Sequence, residues 1–185
     1  MKRPAVDSLA FTLDAAARAI AAVIDGRNLE LALAALDLPT AARPAVMDLA
    51  YGTLRCFGRG DFFLAQLLAR PLAEPIVRSL LLAALQRLET RPEDVHTTVD
   101  QAVTAAAGLA RGRYKALVNG VLRNFLRRRG ELAAAAERDE TARWQHPRWW
   151  LAELRATCPD RWREVAEAGN QRAPMTWRVT RRRRA

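Results

Sequence analysis

Residues 114–129 read YKALVNGVLRNFLRRR. Laid out at about 100° per residue, Leu117, Val118, Val121, Leu122, Phe125 and Leu126 fall on one half of a helix, while Lys115, Asn119, Arg123 and Arg127 step around the other at intervals of four. One helix thus offers an apolar face to a core and a cationic face to something else. Between Arg111 and Gly130 stand seven basic residues (Arg111, Arg113, Lys115, Arg123, Arg127, Arg128 and Arg129) and no acidic one. Arg127 to Arg129 also read as a helix C-terminus complementing the dipole, an effect of only about 0.3–1 kcal/mol that needs no ligand. That covers the last turn alone. The four cations before it, with no carboxylate in the run, make all seven candidates for phosphate contact. Gly120 lies on the cationic side and costs about 1 kcal/mol against alanine, so a second backbone is expected to approach it, either a neighbouring helix or an RNA strand.

The helical period continues on both sides of this stretch. From Ser8 to Ile24 the apolar residues Leu9, Leu13, Ala16, Ala17 and Ile20 recur at helical spacing, with Asp7 or Ser8 as N-cap and Gly26 as stop. A short helix over 29–36 ends before Pro39, and Thr40 can cap PAVMDLAYGTLRCF (44–57). Gly58, Arg59 and Gly60 are expected to break that helix, with Asp61 capping FFLAQLL (62–68). PIVRSLLLAALQRLE (75–89) opens on proline and is apolar on nearly every side, which predicts a buried central strut. Thr97 or Thr98 then caps the alanine-rich VDQAVTAAAGLA (99–110). Half the residues are hydrophobic but only 6% aromatic, and the dominance of alanine and leucine favours helices. The expected fold class is all-α.

The formal charge is +10, carried almost wholly by arginine because Lys2 and Lys115 are the only lysines. Arginine suits planar, bidentate phosphate contact and stacking on bases, so the partner class is nucleic acid. Cys56 and Cys158 lack metal-ligand or disulfide-framework spacing and read as fillers, and His96 and His146 are solitary. No metal is therefore expected in this chain. The N-terminus has charges within its apolar part and no run long enough to span a bilayer, so no membrane partner and a cytoplasmic location are expected.

Near residue 140 the composition changes: Trp144, Trp149, Trp150, Trp162 and Trp177 all lie beyond that point. The expected division is 1–138 as an RNA-binding helical domain and 139–185 as a tryptophan-rich helical linker. In the linker, Pro147 opens a helix to about Thr157, Pro159 and Asp160 open another to about Ala168, and MTWRV (175–179) reads as the start of a strand. Adjacent Trp149 and Trp150 cannot both face inward on one helix. One is expected to face the bundle and the other a domain absent from this chain.

VDQAVTAAAGLARGRYKALVNGVLRNFLR (99–127) resembles the signature of the NusB-like helical domain, and AYGTLRCFGRGDFFLAQLL (50–68) is similar to that family's third and fourth helices. The likeness covers about residues 5 to 135. HPRWWLAELR (146–155) with NQRAPMTWRV (170–179) is similar to the linker found where this domain is fused to a 16S rRNA cytosine-5 methyltransferase. Trp177 and Thr180 depart from it, standing where that family has leucine and asparagine. The resemblance implies a NusB-like bundle, RNA and specifically 16S rRNA as partner, and a chain cut before a C-terminal methyltransferase domain holding the S-adenosylmethionine pocket and the catalytic cysteines. Cys158-Pro159 has the reverse order of the Pro-Cys pairs in those enzymes, and Gly58 and Gly60 follow a helix rather than a strand, so neither marks such a site here. A free-standing transcription antitermination factor would explain the helical domain equally well. It would not need the tryptophan-rich extension, and such factors have a richer basic arm than Lys2 and Arg3. A helical module docking another protein through its tryptophans is the third reading.

Overall fold

The computed structural model describes residues 4–171 and 176, and every α-helical or 3₁₀ element among them follows in the order of the chain without any strand. Helix α1 (Leu9–Ile24) starts at Ser8, whose side chain accepts from the Phe11 N–H, and ends just before Gly26 at φ 92°. Asn28 caps the short α2 (Leu29–Ala34) by accepting from the N–H groups of Glu30 and Leu31. Then come α3 (Arg43–Arg55), α4 (Phe57–Leu67), α5 (Pro75–Thr90), α6 (Val95–Gly108) and α7 (Lys115–Ala136). Three short helices follow: α8 (Glu140–Trp144), α9 (Arg148–Thr157) and α10 (Trp162–Asn170). MTWRV lies outside the described residues except for Thr176, which has no regular structure.

Several helix starts differ from the sequence reading. Thr40 does not cap α3, which begins after Ala42 with Pro44 in its first turn. Cys56 alone separates α3 from α4, so Gly58, Arg59 and Gly60 lie inside α4 rather than breaking the chain. The reason is space: a Cβ on Gly58 would sit 2.6 Å from the Thr141 carbonyl oxygen, and one on Gly60 would sit 3.0 Å from Leu82 Cδ2. These glycines serve close packing rather than a turn. Asp61 is likewise inside α4, where it pairs with Arg78 of α5. A 3₁₀ turn at Pro92–Asp94 leads straight into α6, so Thr97 and Thr98 lie within that helix and Thr98 is buried. Pro159 and Asp160 form a turn, and α10 begins two residues later than they predict.

The all-round apolar α5 is the strut that its sequence predicts, packed by α1, α3, α4, α6 and α7. It buries Val77, Leu80, Leu81, Leu82, Leu85 and Leu88 completely or nearly so. At about 1.5–3 kcal/mol per fully buried side chain, the five leucines alone contribute roughly 8–15 kcal/mol before conformational entropy is counted. A polar tie joins α1 to α6: the Ala10 N–H, one of the orphan donors at the start of α1, donates to Gln101 Oε1 at 3.2 Å.

Beyond α7 the chain makes a second, smaller cluster of Trp144, Leu151 and Ala166, with Trp150, Leu154 and Trp162 packed against it. Ala142 of α8 still belongs to the main core. The adjacent tryptophans point differently: Trp149 is 72% exposed, while Trp150 is half-buried with its ring 4.2 Å from that of His146. The inward one faces this small cluster rather than the bundle.

Arg59 couples the two units. It pairs with Glu89 of α5 at 3.1 Å and Glu137 after α7 at 2.8 Å, and its backbone N–H donates to Gln145 Oε1. Burial alone would lower the guanidinium pKa, but Glu89 and Glu137 outweigh it and raise it. Gly58→Ala should therefore pry α4 from α8, costing about 1–3 kcal/mol. Denaturant unfolding at constant m-value measures this, and wild-type stability would show that the α8 backbone yields freely.

Candidate nucleic-acid interface

Helix α7 runs for 22 residues, about 33 Å at 1.5 Å per residue. Its inner face buries Val118, Val121, Leu122, Phe125, Leu132 and Ala136, and Phe125 meets Phe63 of α4 with ring centroids 5.2 Å apart. That burial fixes the rotation of the helix and turns Lys115, Arg123 and Arg127 outward, all exposed. Arg127 to Arg129 do not end the helix, which continues two turns further, so these residues are not placed to complement its dipole.

The seven cations fall into two groups. Arg111, Arg113, Lys115, Arg123 and Arg127 form no ion pair among the described residues. Arg123 Nε donates to Asn119 Oδ1 at 3.0 Å and Arg127 to Asn124 Oδ1 at 3.4 Å, both neutral amides that steer a guanidinium without cancelling its charge. Arg113 lies over the Tyr114 ring at 5.7 Å. Arg111 sits in the turn before α7 with φ 57°, between Ala110 at φ 42° and Gly112 at φ 78°. This left-handed run lets the chain reverse within a few residues and leaves Arg111 exposed. The other two cations are engaged internally. Arg128 pairs with Glu131 at 2.7 Å, and Arg129 donates to the Glu89 carbonyl at 3.4 Å. Hydrogen bonding to Arg128 holds the Glu131 carboxyl below its usual range and raises the Arg128 guanidinium in turn. Glu131 lies one residue beyond the carboxylate-free window of 111–130.

Residues 12–127 match the NusB family. The chain belongs to the NusB family. Residues 146–185 match a second family, described as the Methyltr_RsmF/B-like, ferredoxin-like domain. Proteins named ribosomal RNA small subunit methyltransferase B are similar along nearly the whole chain: 40% identical in Pseudomonas putida, over 91% of this chain and 40% of that protein. Those of Yersinia enterocolitica and Escherichia coli are 33% identical, over 90% of this chain and 40% of each protein. The chain thus spans about two-fifths of the length of these curated relatives.

Two features of this NusB-family surface were not evident in the sequence. A groove of about 570 Å³ opens between α6 and α7 beside Arg123, with Val95, Val99, Val103 and Leu126 as floor and His96, Asp100 and Asn119 at its rim. The valines recur at four-residue spacing, but that pattern reads equally as a core stripe. The open space around Gly120 is the second. This glycine is exposed, and a Cβ there would meet nothing within 4 Å, so no neighbouring helix explains it. Among the described residues no helix is long and apolar enough to cross a membrane, and no group of histidine, cysteine or acidic side chains could hold a metal ion. With its site open, Gly120→Ala should stabilise the protein by about 0.4–1 kcal/mol, read as a raised thermal midpoint. A lowered midpoint would mean that something in the folded protein packs there after all.

Proposed function

We propose that this chain is the RNA-binding accessory region of a small-subunit rRNA methyltransferase of the B type, with the outer face of α7 as its phosphate contact. One observation carries the reading: five cations, Arg111, Arg113, Lys115, Arg123 and Arg127, line the start and outer face of one helix and form no ion pair among the described residues. From Lys115 to Arg127 is about 18 Å along the axis, the reach of a few nucleotides. Such contacts set the register of an RNA while leaving its sequence to be read elsewhere. Arg128 and Arg129, already bonded within the protein, would join only by exchanging those partners.

In this reading 16S rRNA is the partner, and S-adenosylmethionine-dependent methylation of cytosine belongs to the region of the relatives that this chain does not align with. The protein's part is to hold the RNA so that a base reaches that centre. A free-standing antitermination factor accounts for residues 12–127 alone and leaves the second family match, over 146–185, without a role.

The double change Arg123→Glu and Arg127→Glu should weaken binding to a small-subunit rRNA hairpin at least about tenfold and make the log–log salt dependence shallower by about 1.4–1.8. Circular dichroism should not change, because both side chains bond only to neighbouring amides. Unaltered affinity at low salt rejects the ridge. Mixed with S-adenosylmethionine and the same RNA, the chain should transfer no methyl group, and turnover would place a catalytic centre within these 185 residues.

A further inference from the structure

A second cationic face lies on α3. Arg43, Met47, Tyr51 and Arg55 follow one another at four-residue steps, so their side chains form a single ridge along the helix. Its inner residues, Val46, Leu49, Ala50 and Thr53, are buried in the core, which fixes the ridge outward. Tyr51 is 38% exposed, a large aromatic surface left uncovered by the fold. Met47 and Tyr51 form the apolar centre of a groove of about 510 Å³ that Thr40 and Asp48 also line, and Arg43 and Arg55 stand at its two ends. Neither arginine forms an ion pair among the described residues. The two are about 18 Å apart along the axis.

We infer that this ridge is a second RNA-binding site, taking a single-stranded segment whose base stacks on Tyr51 and Met47 while Arg43 and Arg55 hold the flanking phosphates. An exposed aromatic side chain bracketed by unpaired guanidinium groups is the arrangement that captures unpaired nucleotides, because every base has a stacking face and the backbone supplies the charge. A duplex offers no such face, its bases being stacked on one another. An acidic protein segment would satisfy the arginines but would gain less from the ring between them. The site lies apart from the α7 ridge: α3 packs chiefly on α1, whereas α7 packs chiefly on α6 and α4, and α3 and α7 do not pack closely on each other. The inference rests on the reading of the chain as RNA-binding but not on the α7 contact.

The test uses the full chain and a 12-nucleotide single-stranded RNA of mixed sequence carrying 4-thiouridine. After irradiation, mass spectrometry should place a cross-link on the peptide containing Tyr51. Tyr51→Ala should abolish that adduct and weaken binding by at least about fivefold, whereas Tyr51→Phe, which keeps the ring, should retain both. The Arg43→Glu, Arg55→Glu double variant should lose the adduct as well, while Arg123→Glu with Arg127→Glu should keep it. Adducts confined to α6 and α7, with Tyr51→Ala binding like wild type, would overturn the α3 site and leave the proposed function standing. Absence of RNA binding by the wild-type chain at low salt would remove both.

Discussion

A helix that is apolar around most of its girth has to be enclosed, and α5 imposes that requirement on the rest of the fold. Its leucines cover more than half of its circumference and Val77, Ala83 and Ala84 are buried beside them, so α1, α3, α4, α6 and α7 each turn an apolar stripe toward it. Each surrounding helix then has its rotation set by what it buries. The outward faces are left for other chemistry, and their composition is not constrained by the core. The cationic faces of α7 and α3 are consequences of this arrangement: Phe125 and Val118 on one, Val46 and Ala50 on the other, are locked inward, and the arginines have no direction but out.

The same logic explains how the tryptophan-rich unit stays attached. It contributes little to the main core beyond Ala142, so its docking depends on a close backbone approach and one half-buried cation. Gly58 allows the α8 carbonyl at Thr141 to come within reach of α4. Arg59 fills the joint beside it, balanced by two carboxylates, one on α5 and one just after α7. Glycine and arginine in adjacent positions do opposite jobs there, one by having no side chain and the other by having a long one.

How far the sequence carried the fold can be judged element by element. The class, the central strut and the two-faced character of α7 were legible because each rests on periodicity over many residues, which a few exceptions do not disturb. The helix starts were less legible. Thr40, Asp61, Thr97 and Thr98 are good capping residues, but a cap is decided by local geometry that tertiary packing overrides, and Thr98 is buried within its helix. The glycines at 58 and 60 read as breakers because sequence shows flexibility and not the neighbour that needs the space. At the candidate interface the residues were legible and their engagement was not: a window ending at Gly130 could not show Arg128 turned to Glu131 or Arg129 turned back to the Glu89 carbonyl. The α3 ridge was missed because its four residues are of three chemical kinds, and only their common spacing unites them.

Under the proposed function, weak contacts on separate faces would suit a protein that positions RNA rather than reading it. A single exposed helix face with a few guanidinium groups supplies affinity mainly through counterion release, which is sensitive to salt and indifferent to sequence. Two such faces on different flanks of α5 would change the behaviour, because once one segment of an RNA is held, the second binds at the effective concentration set by the intervening nucleotides. Selectivity would then come from the RNA's own shape: only a molecule whose phosphates could meet α7 while an unpaired stretch reached α3 would engage both. Rigidity of the helical core is what turns that distance into a criterion, and the burial of α5 is what makes the core rigid.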